Sequence, residues 1–283
     1  MTTIKVCGVP EHFNFAWQKC LQSGDFLKKN IDLQWTNVPE GTGKMCQMLR
    51  DRATDVAVIL TEGIIRDICN GNDSKIIQVF VQSPLVWGIH VAAKSNFYKI
   101  SDLENKKIAI SRVGSGSHLM AIVHAKKQKW QTNDNDFEII NNIDGAVLAL
   151  TEKRADYFMW EKLMTKPLVD SGIFRRIGEF PTPWPSFVIA VRTNFLEKNK
   201  LAIKDMLMVL NHFTSDFKNI KTIDVEIASF FKLQLTDVKS WLKTTDWSQN
   251  QILENDFHKV QNQLLDLQLI DKSITFAKAV ATV

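Results

Sequence analysis

The stretch 108-IAISRVGSGSHLMAIVHAKKQ-128 decides how the chain is read. A short apolar run, Ile108 to Ser111, stops at Arg112. Gly-Ser-Gly-Ser-His follows, and Ser117 to Trp130 then predicts a helix with Leu119, Ile122 and Val123 on one face. A strand that turns through glycines into a helix exposes the helix's first backbone N–H groups. Glycine lets the backbone come close to a ligand. Ser115 and Ser117 supply hydroxyls, either of which can cap the helix. The helix dipole adds about 0.3–1 kcal/mol for an anion placed there. Read as a site, Ser115, Gly116, Ser117 and His118 cradle a sulfonate, phosphate or carboxylate; read blandly, they are a serine cap after a flexible turn. No GxxxxGK[ST] is present, and the third glycine of GxGxxG is missing because His118-Leu119 follows Ser117.

Working outward, strands and helices alternate. Residues 4–9 (IKVCGV), 31–38 (IDLQWTNV), 55–60 (DVAVIL) and 75–81 (KIIQVFV) predict strands, and 13–24, 44–53 and 63–72 predict helices. DVAVIL is apolar throughout, as expected of a strand buried on both faces. The order predicts a mainly parallel sheet with helices on both sides. The same logic repeats with strands at 85–93, 107–111, 137–143 and 156–160, helices at 117–130 and 145–155, and a further strand at 187–193. Residues 195–283 predict helices without strands, at 197–219, 224–232, 235–243 and 250–268.

In open α/β sheets ligands gather outside the carboxyl ends of strands. There the sequence places His12, Phe13 and Asn14 after the first strand, Thr42 and Gly43 in EGTGK after the second, Thr61 and Glu62 after the third, and Ser83 after the fourth. The second set adds Asp144, Trp160 and Glu161, and Trp184 precedes the last strand. For each residue alone a packing or solvated role competes with a functional one. As a set, the glycine-rich helix starts favour an anion, Glu62 and Glu161 favour a cation or hydrogen-bond donor, and Phe13, Trp160 and Trp184 offer faces for stacking or cation–π contact. A zwitterion or an amino-heterocycle suits all three; a sulfonate-like anion leaves the glutamates without a role.

Composition excludes several classes. The net charge of +4 is slight and no Lys/Arg block occurs, so no nucleic-acid partner is expected. No apolar run is long enough to span a membrane. Cys7, Cys20, Cys46 and Cys69 form no CxxC pair or zinc spacing and sit in apolar contexts, so buried free thiols are expected, a disulfide being the alternative. No metal, cofactor or catalytic residue is called.

The segments DVAVILTEGIIRDICNGN, SPLVWGIHVAA, ISDLENKKIAISRVGSGSH, INNIDGAVLALTEKRADYFMWEK and FPTPWPSFVIAV, in this order, carry a resemblance. The chain resembles the type II periplasmic substrate-binding proteins of ABC transporters, in the group that includes sulfonate, taurine, nitrate and thiamine-precursor binders. The resemblance covers residues 4 to about 195. It implies two α/β lobes joined by two hinge crossings, with a helical C-terminal tail packed on the first lobe. Residues 1–90 plus 190–283 are expected to form lobe I and 91–189 lobe II. It also implies a monomer that closes on a small-molecule ligand between its lobes and presents it to an ABC permease. The N-terminus, MTTIKVCGVPEHF, enters a strand without a basic and apolar leader. Periplasmic location is expected if an export signal was removed, and cytoplasmic location if the chain is native as given. The alternative function is a cytoplasmic enzyme of the same fold in thiamine or menaquinone biosynthesis, with Glu62 and His12 or His118 as an acid/base pair. A cytoplasmic sensor ranks third.

Overall fold

The computed structural model describes residues 1–283. The chain divides into two compact units: Met1–Ser83 with Trp184–Val283, and Pro84–Pro183. In chain order the strands are β1 Thr2–Gly8, β2 Ile31–Asn37, β3 Val56–Leu60, β4 Ser74–Val81, β5 Val86–Ala92, β6 Ile108–Ile110, β7 Phe137–Ile139, β8 Tyr157–Glu161, β9 Phe174–Pro181 and β10 Phe187–Arg192. The helices are α1 Phe15–Ser23, α2 Asp25–Lys28, α3 Thr42–Arg50, α4 Thr61–Cys69, α5 Gly116–Lys127, α6 Ile143–Thr151, α7 Lys166–Asp170, α8 Thr193–Lys198, α9 Lys200–Ser215, α10 Ile223–Phe231, α11 Leu235–Thr244, α12 Glu254–Asp266 and α13 Phe276–Ala279.

The first unit holds a five-stranded sheet in the order β2-β1-β3-β10-β4, and the second holds one in the order β7-β6-β8-β5-β9. Both sheets are mixed, which corrects the mainly parallel expectation. β1 runs parallel to β2 and β3, whereas β10 is antiparallel to both β3 and β4. In the second sheet β6 is parallel to β7 and β8, and β5 is antiparallel to β8 and β9. The reversed strand holds the same fourth place in each order. It is also the first strand laid down after the chain enters or re-enters that unit. A strand such as FVIAV, buried along its whole length, carries no mark of direction, so its reversal was not legible in the residues.

Burial explains the sheet of the first unit. Every residue of β3 is buried, and Ile4, Val6, Ile76, Val79 and Phe80 join it in the core. The helical tail packs on this unit: α12 lies against α4 and α9 against α1. The tail is not purely helical, a second correction. Residues 246–250 lie along the outer side of β4, where Val79 N–H donates to the Asn250 carbonyl at 2.8 Å and Gln82 N–H to that of Asp246 at 2.8 Å. Ser248 N–H donates back to the Phe80 carbonyl at 3.0 Å. That pairing covers an edge strand that would otherwise expose unpaired backbone.

Two further differences sit in the second unit. β9 was not expected, because FRRIGEFP mixes charge with apolar residues. Its Arg175 donates to the carbonyls of Ala93, Ser95 and Phe97 at 3.0, 2.7 and 2.8 Å and lies 4.1 Å over the Tyr98 ring. The expected strand 137–143 stops at Ile139, since Asn141 takes a positive φ of 64° and Asn142 caps α6 by accepting from Gly145 N–H. All four cysteines are free and buried. No helix is long and apolar enough to cross a membrane.

Candidate functional site

In the first unit β1 to β4 point the same way, so the residues after them share one edge of the sheet. After β1, His12 and Phe13 turn inward. The His12 ring lies 4.4 Å from Phe13 and 4.3 Å, edge on, from Trp241, and Phe13 lies 5.0 Å from Phe187. Trp247 Nε1 donates to the Phe13 carbonyl at 3.2 Å. Burial among these rings lowers the His12 pKa to about 3, so the imidazole is neutral. Asn14 folds back on the strand end, donating from Nδ2 to the Val9 carbonyl at 2.8 Å, while its Oδ1 is buried without a partner.

After β2, Gly41 takes a φ of 76° and α3 starts at Thr42. The Gly41 carbonyl accepts from Lys44 and Met45 N–H, at 3.1 and 3.2 Å, and the Thr42 and Gly43 amides make no bond within the chain. The Thr42 methyl is pressed against Gly63 of α4; a Cβ on Gly63 would lie 2.1 Å from Thr42 Cγ2. This contact holds the amino ends of α3 and α4 together.

After β3, Thr61 and Glu62 open α4, and both are fully buried. Thr61 Oγ1 donates to the Pro185 carbonyl at 2.5 Å, and Thr61 N–H to that of Ser186 at 3.1 Å. Trp184 Nε1 donates to Glu62 Oε2 at 2.7 Å, and Glu62 Oε1 is buried with no partner. Burial raises the Glu62 pKa to about 7, outweighing its own amide and the Trp184 N–H, which lower it. Ser83 is half-buried and structural in its bonds: its hydroxyl accepts from Asp246 N–H at 3.1 Å and its carbonyl from Ser186 Oγ at 2.8 Å.

In the second unit, Gly114 has a φ of 79° and α5 begins at Gly116. Ser115 is the cap, accepting from His118 N–H at 3.2 Å. Ser117 Oγ accepts from Ser111 N–H at 2.9 Å and contacts the hydroxyls of Ser111 and Ser115 at 3.2 and 3.0 Å. The three hydroxyls thus form one chain, and the amides of Gly116 and Ser117 make no bond within the protein. His118 Nδ1 accepts from Gly114 N–H at 3.0 Å, which sets the imidazole as an acceptor on that side, and its ring stands edge on to Phe137 at 4.7 Å. Ser111 was not singled out from the sequence; its place at the end of the strand entering the turn was the available signal.

Asp144 lies exposed in the first turn of α6, where its charge complements the helix dipole. Trp160 is half-buried against the core around Phe158. Glu161 ends β8, and its Oε2 accepts from Met164 N–H at 2.7 Å. Burial lifts its pKa to about 7 although the Met164 and Leu163 amides pull it down. The sequence placed these residues after strands: Trp160 and Glu161 lie at the end of β8, whereas β7 stops at Ile139 and Asp144 lies in α6. It could not show that the hydroxyls of Thr61, Ser83, Ser115 and Ser117 already serve bonds within the chain.

The two turns follow one plan. Gly-Thr-Gly (41–43) and Gly-Ser-Gly (114–116) each leave a parallel strand through a glycine with positive φ. Each opens a helix whose first two amides are unbonded. Such amides suit an anionic or acceptor group.

The sequence model of a family described as Ca3427-like PBP matches residues 87–180. No curated protein matches the chain. Among solved structures, the Candida albicans CA3427 gene product, described as defining a new family with the generic periplasmic binding protein fold, is 26% identical. It aligns over 97% of this chain and 92% of its own with a TM-score of 0.90. The alkanesulfonate-binding protein SsuA of Xanthomonas axonopodis pv. citri, bound to MOPS, is 15% identical over 100% of this chain and 99% of its own, with a TM-score of 0.82. The periplasmic aliphatic sulphonate binding protein SsuA of Escherichia coli is 14% identical over 99% and 92%, with a TM-score of 0.75. With its two mixed α/β sheets, the chain has the type II periplasmic-binding-protein fold.

Proposed function

We propose that the chain is a solute-binding protein that takes a small polar organic ligand, and that it delivers the ligand to an ABC-type permease from outside the cytoplasmic membrane. The observation that carries this reading is the repeated helix entrance: Gly41–Gly43 and Gly114–Ser117 each offer two unbonded amides at the carboxyl end of a parallel strand. The likeness to proteins named for sulfonate binding supports binding over catalysis, and supports a transport setting. Asn14, Thr42, Gly43, Glu62, Gly116, Ser117, Trp160, Glu161 and Trp184 are the residues proposed to act at or directly behind the ligand.

A thermal-shift screen followed by calorimetry tests it. The set holds alkanesulfonates, nitrate, phosphonates, pyrimidine and thiamine precursors, and zwitterionic amines. A true ligand at 100 times its Kd adds about 2.7 kcal/mol to stability. The expected result is a clear shift from one class, with that compound recovered intact by mass spectrometry. Chemical conversion of the hit would replace the binding reading with an enzymatic one, and no shift from any class would remove it.

A further inference from the structure

The geometry points to a ligand with a hydrogen-bond-donating nitrogen head, an ammonium, amidinium or amino-heterocycle, received in the first unit by Glu62 Oε1 and Asn14 Oδ1. This rests on the solute-binding reading and adds the class of solute.

Both atoms are acceptors, both are closed to water, and neither has a partner. Buried polar groups are almost always bonded, so two unfilled acceptors need an account. They lie after strands that are neighbours in the sheet: β1 pairs with β3 through Gly8 and Val58, just short of Asn14 and Glu62. The Asn14 orientation is set by its own network, since Nδ2 donates to the Val9 carbonyl and a flipped amide would set oxygen against oxygen. Glu62 Oε2 is already served by Trp184 Nε1. Burial disfavours the charge on this carboxylate, and its own amide and the Trp184 N–H favour it. A head with two or more N–H bonds offers donors to such acceptors, and a positive charge on it compensates the carboxylate. A sulfonate or nitrate oxygen satisfies neither and would sit against two oxygens.

The test uses matched probes on the full chain: 3-aminopropanesulfonate against propanesulfonate, and 4-aminopyrimidine against pyrimidine, by calorimetry. The amino member of at least one pair is expected to bind roughly tenfold or more tighter than its partner. Glu62→Gln keeps an acceptor for Trp184 and is expected to bring that ratio close to one. The wild-type comparison stands alone if the variant does not fold. Equal affinity within the pairs would overturn the inference and leave the solute-binding reading in place. Binding of none of the four probes also counts against the inference; a hit elsewhere in the wider screen then keeps the parent reading without it. Silence from both sets removes both.

Discussion

Trp184 Nε1 donates to Glu62 Oε2 at 2.7 Å across 122 residues of sequence, tying the first turn of α4 to the point where the chain re-enters the first unit. Two bonds beside it do the same work: Thr61 Oγ1 to the Pro185 carbonyl and Thr61 N–H to that of Ser186. The dipeptide Thr61-Glu62 is therefore the receiving end of the returning segment as well as a strand terminus.

Trp184→Phe removes the indole donor and little of the apolar contact. Glu62 is then left with both carboxylate oxygens short of a side-chain partner in a buried place, which costs about 1–3 kcal/mol. Urea unfolding should show that loss. Glu62→Gln, which preserves an oxygen for the indole, should cost less. Equal stabilities for wild type and Trp184→Phe would mean that the bond contributes nothing to folding.

Gly63 and Thr42 make a sharper test of packing. A methyl at position 63 would meet Thr42 Cγ2 at 2.1 Å, so Gly63→Ala must push α4 away from α3. Overpacking of this kind costs about 1–3 kcal/mol. Thr42→Ser removes the opposing methyl, so the double variant should recover most of the loss. A double-mutant cycle measures the coupling, and simple additivity would show that the two side chains do not compete for one space.

The serine turn separates capping from satisfaction of a buried amide. Ser115→Ala removes the cap that accepts from His118 N–H, at a cost of about 0.5–2 kcal/mol. Ser117→Ala leaves the Ser111 amide without an acceptor at a buried position, costing about 1–3 kcal/mol. Both losses are stability effects without ligand. If the Gly116 and Ser117 amides are what meet a ligand, Ser115→Ala should weaken binding of the best screening hit less than Ser117→Pro, which deletes one of those amides. Calorimetry on both variants reads the difference, and equal weakening would move the contact off the backbone.

How far this was legible follows from which signals are local. The apolar run DVAVIL announced a fully buried strand, and Gly24 announced the end of α1 by taking φ 71°. The strand-to-helix turns at Gly41 and Gly114 were marked by glycine and hydroxyl residues. Strand direction was not legible, because β5 and β10 owe their reversal to where the chain re-enters, not to their residues. β9 was hidden by Arg175 and Arg176: the Arg175 head leaves the edge strand for the carbonyls of Ala93, Ser95 and Phe97, and Arg176 pairs along the strand with Glu179. Trp184 and His12 were rightly placed at strand ends. Their burial depended on partners far away in sequence, Glu62 for one and Trp241 for the other.

The last expectation concerns pH and draws on groups from both units. Glu62 and Glu161 titrate near 4.5 when unfolded and at about 7 when folded. His12, His90 and His124 titrate near 6.5 unfolded and at about 3, 3 and 4 folded, because burial disfavours their charged form. Stability rises with pH wherever the unfolded chain holds more protons than the native one. Between pH 4.5 and 6.5 the unfolded chain holds extra protons on the three histidines, and the native chain holds extra protons on the two glutamates. The net effect is a gentle rise. At pH 6.5 the unfolded histidines are half protonated and the two effects balance; above it the histidine contribution fades and the glutamates prevail. Stability then falls as the native carboxyls lose their protons and levels off above about 7, until the unfolded thiols begin to ionise near 9 while burial keeps Cys7, Cys20, Cys46 and Cys69 protonated in the fold. Each proton contributes about 1.4 kcal/mol per pH unit, and because the histidines offset most of the loss the net fall amounts to about 0.5 kcal/mol. Urea melts across pH should therefore show a maximum near 6.5, and the Glu62→Gln, Glu161→Gln double variant should lose the decline above it. A wild-type stability that kept rising through pH 8 would mean that both carboxyls are already ionised in the folded protein.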